Sequence, residues 1–203
     1  SIMIGDKVTS IGTDAFKFCP RLTSFTLGSW IATKPLSTML TTAQRISLEQ
    51  ITSITISDSA TSIVKDAFVG CTSLTSVAIT AGSWIEDTTL STMLTDTDLD
   101  LSKITSVTIP DSATSIVDGA FTECSNLTSI TVGSWIENKT LFEMITGTGL
   151  ELSQITSVTI SDSATSIKSR SRRASPYLTC VSLSVGSWIA VQPLSTKLTG
   201  TGI

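Results

Sequence analysis

The chain has no histidine, only one tyrosine and four cysteines in 203 residues, and 15% of its residues are charged. Each shortage removes a class of function. Without histidine, the commonest general base and the commonest metal ligand are gone, and any chemistry falls to carboxylates, lysines, Tyr177 and the cysteines. No apolar stretch reaches the roughly 18 residues that mark a membrane-spanning helix. The opening SIMIGDKVTS lacks the charged-then-apolar layout of a secretory leader. A net charge of −4 argues against nucleic acid or an anionic membrane as partner, because phosphate binding needs Lys and Arg clustered on a broad face. The 40% hydrophobic content is enough to bury a core and is far from the composition of a disordered segment. One elongated unit is expected rather than two globular domains.

What the chain has in abundance is repetition. The segment ITSITISDSATSIVKDAFVGCTSLTSVAITAGSWI from Ile51 returns as ITSVTIPDSATSIVDGAFTECSNLTSITVGSWI from Ile104 and as ITSVTISDSATSI from Ile155, with a worn copy from Ser1. A repeat of roughly fifty residues marks a solenoid or array and moves the functional question from a pocket to a surface. The units run approximately over 1–50, 51–103, 104–154 and 155–203. Each holds two strand signals of the form apolar-x-x-apolar-x-apolar, as in Ile51/Ile54/Ile56 and Leu74/Val77/Ile79, or Ile104/Val107/Ile109 and Leu127/Ile130/Val132. The alternation, with Thr and β-branched neighbours, predicts strands buried on one face. Stacked rungs then make a parallel sheet.

After the first strand of each unit comes a recurrent acid (Asp6, Asp58, Asp111, Asp162), for which an Asx turn is expected rather than a row of catalytic acids. The second rung returns through Leu36/Met39/Leu40, Leu90/Met93/Leu94, Leu141/Met144/Ile145 and Leu194/Lys197/Leu198. That i, i+3, i+4 spacing predicts short helices on the opposite side of the coil. Pro35 and Pro193 precede two of them, where proline suits a first helical turn. Lys197 breaks the apolar triad of the last copy.

The string VTIPDSATSIVDGAFTECSNLTSITV resembles the BspA-type leucine-rich repeat, in which Pro110, Ile116, Ala120, Phe121 and Cys124 fall in the family's order. The first rung of each unit carries the match, and the second departs from it into GSWI and the helix. The resemblance implies a leucine-rich-repeat right-handed coil, an α/β repeat solenoid of about four two-rung units with parallel strands on one face and short helices or turns on the other. It implies an extracellular or cell-surface role in adhesion and protein binding, with no catalytic residue, no metal and no cofactor.

Strands about 4.8 Å apart place equivalent residues of successive two-rung units roughly 10 Å apart, beyond disulfide reach. Cys19, Cys71 and Cys124 are therefore expected as free, buried thiols. Cys180 aligns with Ser76 on the outward side of its strand, either as an exposed thiol or as a drifted serine.

Several groups compete as a binding surface. Trp30, Trp84, Trp135 and Trp188 recur in GSWI, either as an aromatic ladder that anchors a partner or stacks on sugars, or as a packing column. Thr26, Thr55, Thr108, Thr131 and Thr159 form an outward hydroxyl column, which suits an exposed strand and also resembles an ice-binding array. In the last unit Ser171-Arg172 stand in place of Ala-Phe, with Lys168, Arg170, Arg172 and Arg173 close together, either as a site for an anion, a glycan or an acidic partner or as local decay or a compensated frame slip of the repeat.

Asp96, Asp98 and Asp100 imitate a calcium loop, but Leu101 and Val107 stand where its Gly and Glu belong, and a polar loop is expected. Asn126 and Asn138 sit in glycosylation sequons. Neither end carries a polar cap, so the chain is expected to be a slice of a longer repeat protein or to stack head to tail into a filament. An enzyme would need nucleophile, base and orienting group to converge, and the scattered carboxylates give no such constellation.

Overall fold

A computed structural model describes residues 1–41, 44–167 and 179–183. Within them eight strands form one parallel sheet in chain order: β1 (Ile2–Ile4), β2 (Ser24–Leu27), β3 (Ser53–Ile56), β4 (Ser76–Thr80), β5 (Ile104–Thr108), β6 (Ser129–Val132), β7 (Ser157–Ile160) and β8 (Cys180–Leu183). Two strands fall in each unit, and β2 to β8 each begin within two residues of the position that the spacing of apolar residues marks. Inward residues such as Phe25, Ile54, Ile56 and Val77 are fully buried, while the alternate positions are half-exposed. Three short helices return the second rungs: α1 (Leu36–Met39), α2 (Leu90–Met93) and α3 (Leu141–Ile145). Each buries its Leu and Met positions, as the i, i+3 spacing requires. Helices this short are stabilised by packing rather than by propensity. Pro35 stands at the N-cap of α1, one position before the first helical turn.

The units are stitched by backbone bonds between equivalent points. Leu36 N–H donates to Ala67 O and Leu90 N–H to Ala120 O, both at 3.0 Å, so each of these helices begins against the Ala-Phe segment of the following unit. Within the units, Phe68 N–H donates to Thr97 O (3.0 Å) and Phe121 N–H to Thr148 O (2.8 Å). Thr97 and Thr148 are buried and return their own hydroxyls to Leu94 O and Ile145 O at 2.7 Å. Gln44 fills the corresponding place in the first unit, its amide donating to Ile11 O at 2.8 Å. These polar groups are buried because each is hydrogen-bonded.

One departure concerns register. Ser24 pairs with Ser53 and Ser53 with Ser76, but then Val77 pairs with Ile104 and Ala78 with Ser106, leaving Thr105 as the extra residue of a bulge. From β5 onward the sheet runs two residues out of step with the repeat. The second unit carries two additional residues, Thr80 and Ala81, before its Gly82, whereas Leu27 and Val132 meet Gly28 and Gly133 directly. Ala81 N–H still donates to Thr108 O at 2.9 Å, so the longer strand enters in step with β3 and leaves in step with β5. A slip of two keeps every side chain on its own face.

Cys71 and Cys124 are buried, and burial pushes their thiols up to about 11 and about 12. Cys19 is exposed, against expectation. Gly70 and Glu123, which precede the two buried cysteines, take left-handed backbone at φ 88° and 72°, and Phe18 before Cys19 does not, so the chain turns differently there. Cys180 is exposed as its alignment with Ser76 implies. In the native chain a thiol-specific reagent should label Cys19 and Cys180 rapidly, and Cys71 and Cys124 only on unfolding. Peptide mapping by mass spectrometry checks this, and early labelling of Cys124 would refute its burial.

Candidate binding face

The outward positions of the strands carry small hydroxyl residues because a half-exposed pleat favours Thr and Ser over large apolar side chains. None of the eight strands contains a charged residue. Their backbone groups are engaged in the ladder, so the face offers hydroxyl donors, hydroxyl acceptors and threonine methyls about 4.8 Å apart from strand to strand. Some hydroxyls are tied along the sheet: Ser76 and Thr105 lie 2.9 Å apart, and Thr75 and Thr179 donate to Thr52 O and Thr156 O at 3.1 and 3.0 Å.

The structure divides the expected threonine column. Thr26 and Thr55 continue through Ala78 into Ser106, Ser129, Ser157 and Cys180, with Met3 at the head of the row. Thr108, Thr131 and Thr159 form a separate row that starts at Thr80 and reaches Ser182. The bulge at Thr105 causes the break. The hydroxyl column is thus interrupted at Ala78 and offset from there on.

The tryptophans are not an exposed ladder. Trp30, Trp84 and Trp135 are 6%, 9% and 8% exposed, which makes them a packing column. Trp30 Nε1 donates to Ile4 O (3.3 Å) and Trp135 Nε1 to Ala113 O (2.7 Å), locking each indole to the preceding rung. Trp84 Nε1 meets no acceptor among the described residues, in the copy with the lengthened second strand. Trp188, Lys168, Arg170, Arg172, Arg173 and the Leu194/Lys197/Leu198 triad lie outside the described residues.

Asp6 and Asp111 turn their carboxylates to later rungs of the coil. Asp6 Oδ1 accepts from Ser29 N–H and Ser59 Oγ, both at 2.7 Å, and Asp111 Oδ1 accepts from Ser134 N–H (2.6 Å) and Ser134 Oγ (2.8 Å). Stacking brings the next rung's turn closer to the carboxylate than the acid's own backbone. The Ser59 hydroxyl and the Ser29 N–H hold the Asp6 carboxyl below its ordinary range. At Asp111 burial works upward, but the bonds from Ser163 and Ser134 outweigh it and the result is again a lowered value. A carboxyl depressed in the folded state stabilises above its unfolded pKa, about 3.9, and that contribution is lost as pH falls through the folded value. Melting temperature should therefore fall with acidification below about pH 4, and less steeply in Asp111→Asn; equal slopes would show that these bonds do not depend on charge.

Asp100 caps the 3₁₀ turn Leu101–Lys103 by accepting from Ser102 N–H at 2.8 Å. Asp96 and Asp98 take left-handed backbone at φ 59° and 65°, where the first and third units have Arg45 at 63° and Gly147 and Gly149 at 82°. That explains the DTD and GTG strings as turn chemistry. Asn126 spends its amide on Ser102 O at 2.8 Å. No helix of the described residues is long and apolar enough to cross a membrane.

A solved leucine rich cell surface protein from Faecalibacterium prausnitzii is similar at 18% identity over 94% of this chain and 46% of that one, with a TM-score of 0.24. The chain thus spans less than half the length of that protein. No curated protein matches. The model of the BspA type Leucine rich repeat region matches residues 1–82 and 45–179, with six copies. Repeats of this type run through most of the sequence, and the chain belongs to the BspA-type leucine-rich-repeat family.

Proposed function

We propose that this is a non-catalytic repeat protein of the cell surface or extracellular space, mediating adhesion by binding a protein partner on its hydroxyl-rich sheet face. The observation that carries this is the continuous eight-stranded face, uncharged along every strand and half-exposed at each alternate position. Family membership supports the surface location and the protein partner. The absence of histidine and the dispersal of carboxylates along the repeat support a non-catalytic role. An uncharged face implies association without electrostatic steering, in the ordinary range of about 10⁵–10⁶ M⁻¹s⁻¹ and with little dependence on salt.

A panel of purified matrix and secreted proteins, measured against the immobilised chain and its Thr55→Arg and Thr131→Arg variants, tests this. At least one protein should bind the parent and lose binding to a variant of unchanged melting temperature. Binding indifferent to both substitutions would remove the sheet face from the proposal. Light scattering across a concentration series separates a foreign partner from a further copy of the chain, since head-to-tail filaments would grow in mass with concentration.

A further inference from the structure

Beside the tryptophan turns, away from the outward strand face, the first and third units carry the same small cleft. Asp6 and Lys34 line one, of about 230 Å³, together with Thr9 and Thr33. In the other, of about 260 Å³, the same positions hold Asp111, Lys139, Thr114 and Asn138. The buried indoles of Trp30 and Trp135 complete the two walls. In the second unit these positions read Asp87 and Thr88 in place of the exposed polar residue and the lysine, so the cation is lost there.

We propose that the two clefts are paired subsites for one linear, uncharged glycan, each seating a single sugar ring. Their charge points to this class. Each opposes a carboxylate with an ammonium, so a polyanion meets the aspartate and a polycation meets the lysine. A polyol satisfies both without carrying charge, because its hydroxyls donate to the carboxylate and accept from the ammonium, while the Thr33 and Thr114 hydroxyls, whose protons go to Trp30 O and Glu86 Oε1, serve as acceptors and the Asn138 amide as either.

The groups are also held in place. The aspartates are fixed through Oδ1 by Ser29 and Ser134. The Lys139 ammonium lies 4.5 Å from the Trp135 ring centroid, and Lys34 Nζ donates to Thr9 O at 2.6 Å. Preorganised groups lose little freedom on binding. Finally, the clefts are four strand spacings apart, about 19 Å. A homopolymer of sugars presents the same hydroxyls again at regular intervals, which an ordinary folded protein surface does not.

The test is calorimetric titration of the whole chain with linear neutral glucan and mannan oligomers graded by length, with uncharged peptides as controls. At least one series should bind weakly when short and gain roughly tenfold or more once an oligomer bridges both clefts, because the second contact becomes intramolecular. Lys34→Met or Lys139→Met, which keep the aliphatic stem, should each abolish that gain and leave short-oligomer binding reduced but present. Thr88→Lys combined with Asp87→Asn, supplying the missing cation in the second unit, should strengthen binding of long oligomers. This arm stays informative if a methionine variant misfolds. Failure of both series to bind, affinity independent of length, or binding by the peptides alone would each overturn the proposal.

Discussion

Replacing Phe121 with alanine should lower the unfolding free energy by about 3–5 kcal/mol. Phe121 is 2% exposed, and its neighbours are pinned. Its own N–H is bonded to Thr148 O, and the carbonyl of Ala120 accepts from Leu90 of the preceding unit. A cavity costs most where the surroundings cannot close over it, and here the backbone is tied on both sides.

Phe16, the same position in the first unit, is 8% exposed and packs edge-on to Phe25 with centroids 6.0 Å apart. Phe16 is the more exposed of the two, so Phe16→Ala should cost distinctly less. Repeat arrays hold together by nearest-neighbour interfaces, so weakening one in the middle should also split unfolding into two phases, whereas weakening an outer one should not. Chemical denaturation followed by circular dichroism reads both effects. A loss below about 1 kcal/mol in Phe121→Ala, or equal losses at the two sites, would mean that the aromatic positions do not clamp the units together.

The strands and the interior were legible because burial on one face leaves a period of two in the sequence, and Ile54/Ile56 and Val107/Ile109 show it without interference. The helices were legible for the same reason at a longer period. What the pattern does not encode is the relation between rungs. The offset at β5 follows from Thr80 and Ala81, a two-residue difference between copies that a count back from Gly82 exposes and a count forward from Ser76 conceals.

The tryptophans recur equally well in a packing column and in a binding ladder; the indole bonds to Ile4 O and Ala113 O decide between them, and no sequence pattern marks a carbonyl as an acceptor. The same holds for Asp6 and Asp111, whose partners Ser29 and Ser134 lie 23 residues away in the next turn. The paired clefts did leave a trace, in the lysines of WIATKP and WIENKT. That trace is faint, because the position holds Lys34 and Lys139 but Thr88 and Gln192 in the other two copies.

Those inter-rung bonds give the second large effect. Gly133→Ala should destabilise by about 1–3 kcal/mol, because an added Cβ would stand 2.1 Å from Asp111 Oδ1 and 2.4 Å from Ser163 Oγ. Gly133 is not in the left-handed region, at φ −105°, and the crowding that an added methyl meets is the cause argued for. The methyl group would push the carboxylate off the Ser134 N–H and leave that donor without its partner. A double-mutant cycle isolates this. In an Asp111→Ala background the obstructing carboxylate and its bonds are already gone, so adding Gly133→Ala should cost much less than in the parent, a coupling of about 1 kcal/mol or more between residues in contact. Gly28→Ala should behave alike, since its added Cβ would lie 2.1 Å from Asp6 Oδ1. At Gly82 the nearest atom is Asp58 O at 2.9 Å, a backbone atom that truncating the aspartate does not remove, so the cycle with Asp58→Ala should show no relief. Additive costs at Gly133 would sink the idea that the carboxylate and the glycine form one joint between rungs.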